Sequence, residues 1–235
     1  MIEAPPTVTC IMPVRNGERF IAEALTSAFS QRPALDEFIV INDGSTDATP
    51  SILARFAQDH PNLRVIHQEN QGLEITRNAL VRMASGEFLA FLDSDDVWPE
   101  GRHERLLAIL TSHPDADIVR GLLRRFETTG TEDRFVDERR RAPNLSASLI
   151  RRSVFRRVGP LDPTLPHAGD VDWWLRVDAT ALTTVWIDDV VLHYRRHDDN
   201  MTNNEALEQE SILEVLRRSI QRRRAQAAAH GHEDR

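Results

Sequence analysis

Residues 7–93 alternate four times between a short apolar run and a segment with apolar residues at helical spacing. The runs are typical of strands buried on both faces, and the spaced segments are typical of helices that pack on a sheet. The four predicted strands span residues 7–13, 38–41, 63–66 and 88–92. Such alternation builds parallel βαβ units with right-handed connections. The sequence therefore predicts an α/β fold with a mostly parallel central sheet flanked by helices.

Polar residues follow each of the four predicted strands. They are Arg15-Asn16, Asn42-Asp43, Asn70 and the stretch from Asp93 to Asp95. The carboxyl ends of parallel strands lie at one edge of a sheet, so we expect these loops to converge on one rim that admits a ligand the size of a nucleotide. The sequence contains neither G-x-G-x-x-G nor G-x-x-x-x-G-K-[ST], so the dinucleotide fingerprint and the P-loop are both excluded.

The apolar run Phe88 to Leu92 ends in Asp93-Ser94-Asp95-Asp96, which crowds three carboxylates beyond one strand. Like charges this close need a counter-charge, and oxygen ligands favour Mg²⁺ or Mn²⁺. We therefore predict a divalent metal at this position. The alternative is a helix start with Asp96 near the N-cap ahead of Pro99, which accounts for only one of the carboxylates.

Composition narrows the classes of function. The net charge of 29 − 37 = −8 disfavours a nucleic-acid-binding protein. All 29 basic residues are Arg, which excludes a mechanism that needs Lys. The single cysteine, Cys10, lies in an apolar run and indicates a core residue rather than a disulfide or zinc site. We expect a cytoplasmic protein, because no signal peptide is apparent and no run approaches the ~20 apolar residues of a membrane span.

Several short motifs occur in a characteristic order. They are Pro13 to Gly17, Asn42 to Asp47, Asn70 to Gly72 with Arg77-Asn78, Gly86 to Phe88, Leu92 to Asp96, Arg151 to Phe155 with Val158-Gly159, Asp170 to Trp173, and Tyr194 to His197. Over about residues 7–200 this ordered set resembles the family 2 glycosyltransferases with the GT-A fold. The resemblance implies a Rossmann-like sheet and an enzyme that transfers a sugar from a nucleoside diphosphate donor, most simply UDP-linked, with Mn²⁺ or Mg²⁺.

The resemblance also assigns residues to donor binding. They are Pro13, Val14, Arg15, Asn16, Asn42, Asp43, Asn70, Arg77, Asp93 and Ser94. Asp93 is expected to face the ribose, and Asp95 to hold the metal on the diphosphate. His197 is implied as a further metal ligand or diphosphate contact, with an exposed loop histidine as the alternative. Asn42 departs from the family's acidic residue, so it can hydrogen-bond a base but supplies no charge.

Asp170 is implied as the general base, and a single base attacking from the face opposite the leaving group predicts inversion. The alternative is an N-cap for the helix through Trp174. The family has a Glu before this Asp, whereas this chain has Gly169, a departure that bears on acceptor binding or on tuning of the base. The residues assigned to acceptor binding or support are Asp172, Trp173, Trp174, Arg195 and Arg196.

These supporting residues have ordinary structural alternatives. An aromatic face of Trp173 or Trp174 suits stacking on a sugar, but helical spacing favours a core position for one of them. Arg195 and Arg196 suit contact with a diphosphate, and we expect one of the two to point to solvent.

The predicted organisation has a nucleotide-sugar-binding half at 1–113, an acceptor and catalytic half of the same domain at 114–203, and an amphipathic helix with a tail at 204–235. Residues 127–143 are polar and Arg-rich, and predict a loop. The terminal helix could pack on the domain, form a homodimer or contact a membrane. The acceptor is expected to be a saccharide, a lipid-linked molecule or a peptide.

Two other functions fit parts of the sequence. Leu92 to Val97 matches the D-x-D-x-[TV] strand of aspartyl-phosphate phosphohydrolases, but those enzymes need a Lys and their motif normally opens the fold. A non-catalytic nucleotide-sugar-binding domain is favoured by Asn42 and Gly169 alone. Retention of activity after Asp170→Asn would support that second alternative.

Overall fold

The structure is a computed structural model that describes residues 6–129, 132–165, 168–198, 200 and 205–233. Its strands are β1 Val8–Val14, β2 Glu37–Asp43, β3 Leu63–Gln68, β4 Phe88–Phe91, β5 Ile118–Thr129, β6 Glu132–Phe135, β7 Ser148–Arg151 and β8 Thr184–Arg195. Its helices are α1 Ile21–Phe29, α2 Thr49–Asp59, α3 Leu73–Met83, α4 Arg102–Ser112, α5 Val154–Val158, α6 Gly169–Asp178 and α7 Glu205–Glu233. The predicted boundary at 203–204 lies outside the described residues.

The strands form one sheet with the order β3-β2-β1-β4-β7-β5-β6, and β8 pairs with β5. β1 pairs in parallel with β2 and β4, β2 with β3, and β5 with β8. β7 is antiparallel to both β4 and β5, and β6 is antiparallel to β5. The predicted α/β fold, with a mostly parallel central sheet flanked by helices, is confirmed.

The central strands are buried on both faces because helices cover the two sides of the sheet. All of β1 and β4 is buried. Successive side chains of a strand point to opposite faces, so Cys10 and Met12 enter one core while Ile11 enters the other. Helices α1, α2 and α4 cover the first core, and α3, α5 and α6 cover the second. Cys10 is therefore a core residue, as its apolar setting predicts.

The second half of the chain contains longer strands than the sequence predicts. β5 and β8 each have 12 residues. The loop predicted at 127–143 is wrong in part, because β5 runs to Thr129 and β6 pairs with it antiparallel. Phe126 and Phe135 pack across this pair with tilted rings at a centroid distance of 6.2 Å, whereas the polar neighbours Glu127, Asp133 and Arg134 are exposed. A half-exposed hairpin has too little apolar sequence to be distinguished from a loop.

The terminal helix α7 is present and contacts α6. Val215 is buried against Leu165 and Ala168. The apolar stripe of Leu213, Leu216 and Ile220 faces outward, with relative exposures of 55%, 44% and 52%. Within the described residues, no helix combines the length and apolar character needed to cross a membrane.

Candidate active site

The loops after β1 and β2 are joined by hydrogen bonds at the carboxyl edge of the sheet. Val14 and Asn42 are register partners, so the two loops begin side by side. The backbone N–H of Asn16 donates to Ser45 Oγ at 2.9 Å, and Asn16 Oδ1 accepts from the Thr46 N–H at 2.9 Å. Asn42 Oδ1 accepts from the Ser45 N–H at 3.0 Å. These bonds build the first part of the predicted rim, on which Arg15 and Asn16 are exposed while Pro13 and Val14 are buried.

Asp43 fixes the next loop of the rim. Its Oδ1 accepts from the Gln71 N–H at 2.8 Å, and its Oδ2 accepts from the Gly72 N–H at 2.9 Å. Gly44 has φ +74°, and a Cβ there would lie 2.8 Å from the backbone N of Asn70. The loop after β3 is therefore held close to the loop after β2, and it leaves Asn70 exposed.

The three carboxylates after β4 point to different partners rather than to one metal. Asp93 Oδ1 accepts from Arg77 Nη2 at 2.8 Å. Asp96 is buried, and its Oδ1 accepts from the Arg195 N–H at 2.9 Å. Burial, reinforced by the charges of Asp95 and Asp93, raises the pKa of Asp96 well above its usual range. The N-cap alternative for Asp96 is wrong, because α4 begins at Arg102 after Gly101.

Asp95 is the most exposed of the three carboxylates, with a side chain 32% exposed against 25% for Asp93. Its Oδ2 lies 3.0 Å from His197 Nε2 and 3.5 Å from Asn200 Nδ2. No group of three His, Cys, Asp or Glu side chains with metal-binding geometry occurs among the described residues. An adjacent carboxylate and imidazole fit a Mn²⁺ or Mg²⁺ ion whose other ligands come from substrate phosphates and water.

Asp170 lies in the first turn of α6 and faces the same charge cluster. Its Oδ1 accepts from the Val171 N–H at 2.9 Å. Burial raises the pKa of Asp170 to about 6, the charge of Arg77 opposes this rise, and Asp93 adds to it. A carboxylate that titrates near neutral pH has the proton affinity expected of a general base.

Glu74, in the first turn of α3, is a site residue that the sequence reasoning missed. Its side chain is buried, and its Oε1 lies 3.3 Å from Arg77 Nη1. Burial raises the pKa of Glu74 to about 7, and the charges of Asp170 and Asp93 contribute. The available signal was an acidic residue three positions before Arg77, inside a motif already assigned to the donor site.

Arg195 does not lie free at the rim, because the fold uses its guanidinium group. The side chain is buried, and its Nε donates to the Asp95 carbonyl at 2.9 Å. Its terminal nitrogens bond Thr128 and Glu23. Arg195 therefore holds the acidic loop against β8, which corrects the expectation that it contacts a diphosphate. Arg196 is exposed, as expected for one of the two.

Three residues assigned to the acceptor also lie in the interior. Trp173 and Trp174 are 0% and 2% exposed, so neither presents an open face to a sugar. They pack edge to face with each other at 5.1 Å in the second core. Asp172 is buried and accepts from Arg176 Nε at 2.9 Å and Arg222 Nη2 at 2.8 Å. Its role in the structure is to tie α6 to α7.

The sequence profile of glycosyl transferase family 2 matches residues 9–180. The chain belongs to this family. By its family the chain is a glycosyltransferase, and the match sets aside the phosphohydrolase alternative.

Curated relatives extend the likeness over most of the chain. EpsH of Bacillus subtilis (strain 168), provisionally named a glycosyltransferase, is 32% identical over 213 residues, which cover 82% of this chain and 61% of EpsH. An uncharacterized glycosyltransferase of Rickettsia typhi is 28% identical over 230 residues, covering 90% of this chain and 70% of that protein. The chain thus spans about two thirds of the length of these relatives.

Solved glycosyltransferases share the GT-A fold. The mannosyltransferase PcManGT from Pyrobaculum calidifontis, solved with GDP-Man and Mn²⁺, has a TM-score of 0.75 at 21% identity and covers 93% of this chain and 65% of its own. S. aureus TarS 1–349 in complex with UDP has a TM-score of 0.67 at 23% identity, covering 88% of this chain and 65% of its own. These likenesses establish the GT-A fold for the chain.

Proposed function

We propose that the chain is an inverting, metal-assisted glycosyltransferase that moves one sugar from a UDP-linked donor to a hydroxyl acceptor. The observation that carries this proposal is the meeting of three elements at one sheet edge. Asp93 and Asp95 follow β4, Asp170 opens α6, and Arg77 of α3 binds Asp93 and acts electrostatically on Asp170. Carboxylates for a metal and for a base thus lie at one edge of the sheet, the edge where parallel sheets bind ligands.

The rim residues support binding of the nucleotide. Arg15, Asn16 and Asn70 are exposed on loops that hydrogen-bond one another, so their backbone is fixed before a ligand arrives. Binding to a preformed rim costs little ordering entropy. We assign Asn42 and Asp43 to the support of this rim and, through their loops, to contact with the base.

Asp95 and His197 are the residues that we assign to the metal. A divalent cation bound there would neutralise the negative charge that develops on the departing diphosphate. The neighbouring side chains prepare this position, because Arg195 and Asn200 fix the backbone and side chain of Asp95. The complex of PcManGT with Mn²⁺ supports the same chemistry.

Asp170 is the proposed general base. It would accept the proton of the acceptor hydroxyl as that oxygen attacks the anomeric carbon and the diphosphate leaves with the bonding electrons. The pKa of about 6 leaves Asp170 mostly ionised at neutral pH, as the role requires. A single displacement by an acceptor on the face opposite the diphosphate inverts the anomeric configuration.

The acceptor and the cellular setting complete the proposal. We assign residues 1–113 to the donor and 114–203 to the acceptor, which is a saccharide, a lipid-linked molecule or a peptide.

The enzyme acts in the cytoplasm, and the outward apolar stripe of α7 with the exposed Arg217, Arg223 and Arg224 supports peripheral contact with an anionic membrane surface. A homodimer through the same stripe is the alternative, and sedimentation with and without anionic vesicles separates the two.

Calorimetric titration tests donor binding. UDP, GDP, TDP and CDP are each titrated with Mn²⁺ and with EDTA. We expect UDP to bind tightest, only with the metal, and we expect Asp95→Ala to abolish the effect of the metal. Asp188→Ala, at an exposed position of β8 where the pairing with β5 shifts register, is the matched control and should bind as wild type. Absence of metal-dependent binding by every diphosphate would refute the donor site.

Release of UDP from a panel of UDP-sugars tests the reaction. Hydrolysis in water reports cleavage of the donor without a known acceptor, and candidate acceptors are then added singly. The anomeric configuration of the transferred sugar, read by NMR, tests inversion. A retained configuration would contradict the assignment of Asp170 as a simple base.

A further inference from the structure

Gly169 lies directly against a side chain from another helix. A Cβ added at Gly169 would lie 2.6 Å from both Cδ and Oε1 of Glu74, and 3.0 Å from its Cγ. Such distances are too short for real Cβ atoms, so no larger residue fits at 169 while Glu74 keeps its position. The space at the position where the family resemblance implies a Glu before the base is thus filled by a Glu from α3.

The Glu74 carboxyl group is buried in a position that lowers the stability of the fold. The residue is 4% exposed, and its Oε1 faces Arg77 Nη1 at 3.3 Å. Its Oε2 is buried and has no hydrogen-bond partner among the described residues. A buried carboxylate oxygen left unpaired costs free energy, and such groups concentrate at functional sites.

Arg77 connects Glu74 to the reaction centre. Its guanidinium group is buried, bonds Asp93 Oδ1 at 2.8 Å and lies beside Glu74. It also acts on Asp170, whose pKa it lowers against the effect of burial. The charged groups around Asp170 are therefore Arg77 and Glu74 from α3, and Asp93 from the loop after β4.

We propose that Glu74 supplies from α3 the carboxylate that Gly169 omits from α6, and that it is a positioning residue for Asp170. By engaging Arg77, Glu74 limits the pull of that cation on Asp170, and by packing on Gly169 it fixes the first turn of α6. This inference rests on the proposed function of Asp170 as a base. It also gives a structural reason why this chain has Gly169 where the family resemblance implies a Glu.

Titration of Asp170 tests the proposal without requiring activity. The carboxyl carbon of Asp170, assigned by its loss in Asp170→Asn, is followed by ¹³C NMR in wild type and in Glu74→Ala, with Glu74→Gln as the milder change if the first variant does not fold. We expect the midpoint to fall, because Arg77 Nη1, which Glu74 Oε1 engages at 3.3 Å, then becomes available to the other carboxylates around it. Glu104→Ala, on the exposed first turn of α4, should leave the midpoint unchanged. An unchanged midpoint in both Glu74 variants would overturn the inference.

A reciprocal exchange tests the shared space. Gly169→Glu alone should lower Tm and the rate of UDP-sugar hydrolysis, whereas Glu74→Ala with Gly169→Glu should recover most of both. A double variant no more stable than Gly169→Glu would overturn the proposal. Failure of the proposed function gives a different result from failure of this inference. In that case the wild-type protein would neither bind UDP with Mn²⁺ nor release UDP from a donor, whatever the titration of Asp170 shows.

Discussion

The two halves of the sheet are held together by different means. In the parallel half, neighbouring loops bond each other through short polar side chains, as Asn16 does with Thr46 and Asp43 with Gly72. In the half built on β5, β7 and β8, long arginine side chains cross between elements. Arg102 donates to the carbonyls of Val191 at 3.0 Å and Ser148 at 2.8 Å, and Arg195 binds the acidic loop.

The difference shows how one rim can serve two tasks. In the parallel half, hydrogen bonds hold the loop backbone in place before a ligand binds. Such a fixed edge suits the binding of a nucleotide. The other half contributes single side chains, Asp170 and His197, and Arg195 of β8 ties the strand before His197 to the acidic loop of the parallel half. Predictions that separate binding from chemistry therefore test this contrast directly.

Asp170→Asn should have the largest effect. Loss of a general base typically lowers turnover about 10²–10⁴-fold. UDP affinity should be unchanged, because the rim belongs to the parallel half. Steady-state UDP release and calorimetry measure the two quantities, and Asp178→Asn, exposed at the end of the same helix, is the control. If UDP affinity fell by as large a factor as turnover, the assignment of binding to one half and chemistry to the other would be wrong.

Arg102→Met should destabilise the whole fold without touching the rim. Arg102 is fully buried, bonds carbonyls of Ser146, Ser148 and Val191, and stacks on Trp98 at 4.0 Å. Buried carbonyls left without donors cost about 1–3 kcal/mol each, so we expect a loss of about 3–5 kcal/mol in urea unfolding. Arg105→Met removes a half-exposed ion pair with Asp189 and should cost less than about 1 kcal/mol.

Asp43→Ala should weaken UDP binding more than it weakens the fold. It removes the acceptor for the N–H groups of Gln71 and Gly72, so the loop that carries Asn70 loses its fixed position. We expect UDP affinity to fall about tenfold or more, equivalent to about 1–3 kcal/mol. Asp59→Ala, exposed at the end of α2, should leave the affinity unchanged. If affinity is kept, the rim is not preformed by these bonds.

The pH dependence of turnover should follow the protonation of Asp170. Asp170 is active when unprotonated, and its pKa is raised to about 6 by burial against the opposing charge of Arg77. Turnover at saturating donor should therefore fall about tenfold between pH 7 and pH 5, as Asp170 takes up a proton. UDP affinity measured in parallel should change less. A flat rate over this range would argue against Asp170.

Arg222→Ala should have the smallest effect. Arg222 is partly exposed and donates to Asp172, which keeps its bond from Arg176. We expect a loss of less than about 1 kcal/mol. Faster amide hydrogen exchange in α7 around Val215 would locate the change, and Arg223→Ala, fully on the outer face, would not show it.

The contrast between the halves also explains what the sequence could predict. The strands β1 to β4 and their polar loops follow from local patterns, since each apolar run is followed directly by its own rim residues. The family resemblance then singles out Asp93, Asp95 and Asp170 for specific roles.

The second half resists this reasoning because its contacts are distant in sequence. Nothing near Arg195 indicates that Asp95, Thr128 and Glu23 will enclose it, so its burial was missed. Glu74 lies in the parallel half, but its contact with Gly169 also joins residues far apart in the chain, and the local signal was only its place three positions before Arg77.

The ion pair between Arg222 and Asp172 joins the last helix to the first turn of α6, two residues beyond Asp170. Consider a partner that binds α7 with different affinity when this ion pair is formed and when it is broken. Such a partner must change the free energy of α6. Because linkage is reciprocal, substrate bound beside α6 must change the affinity for that partner by the same factor. Binding of a partner to the outer surface of α7 and binding of substrate beside α6 would thereby share one coupling free energy.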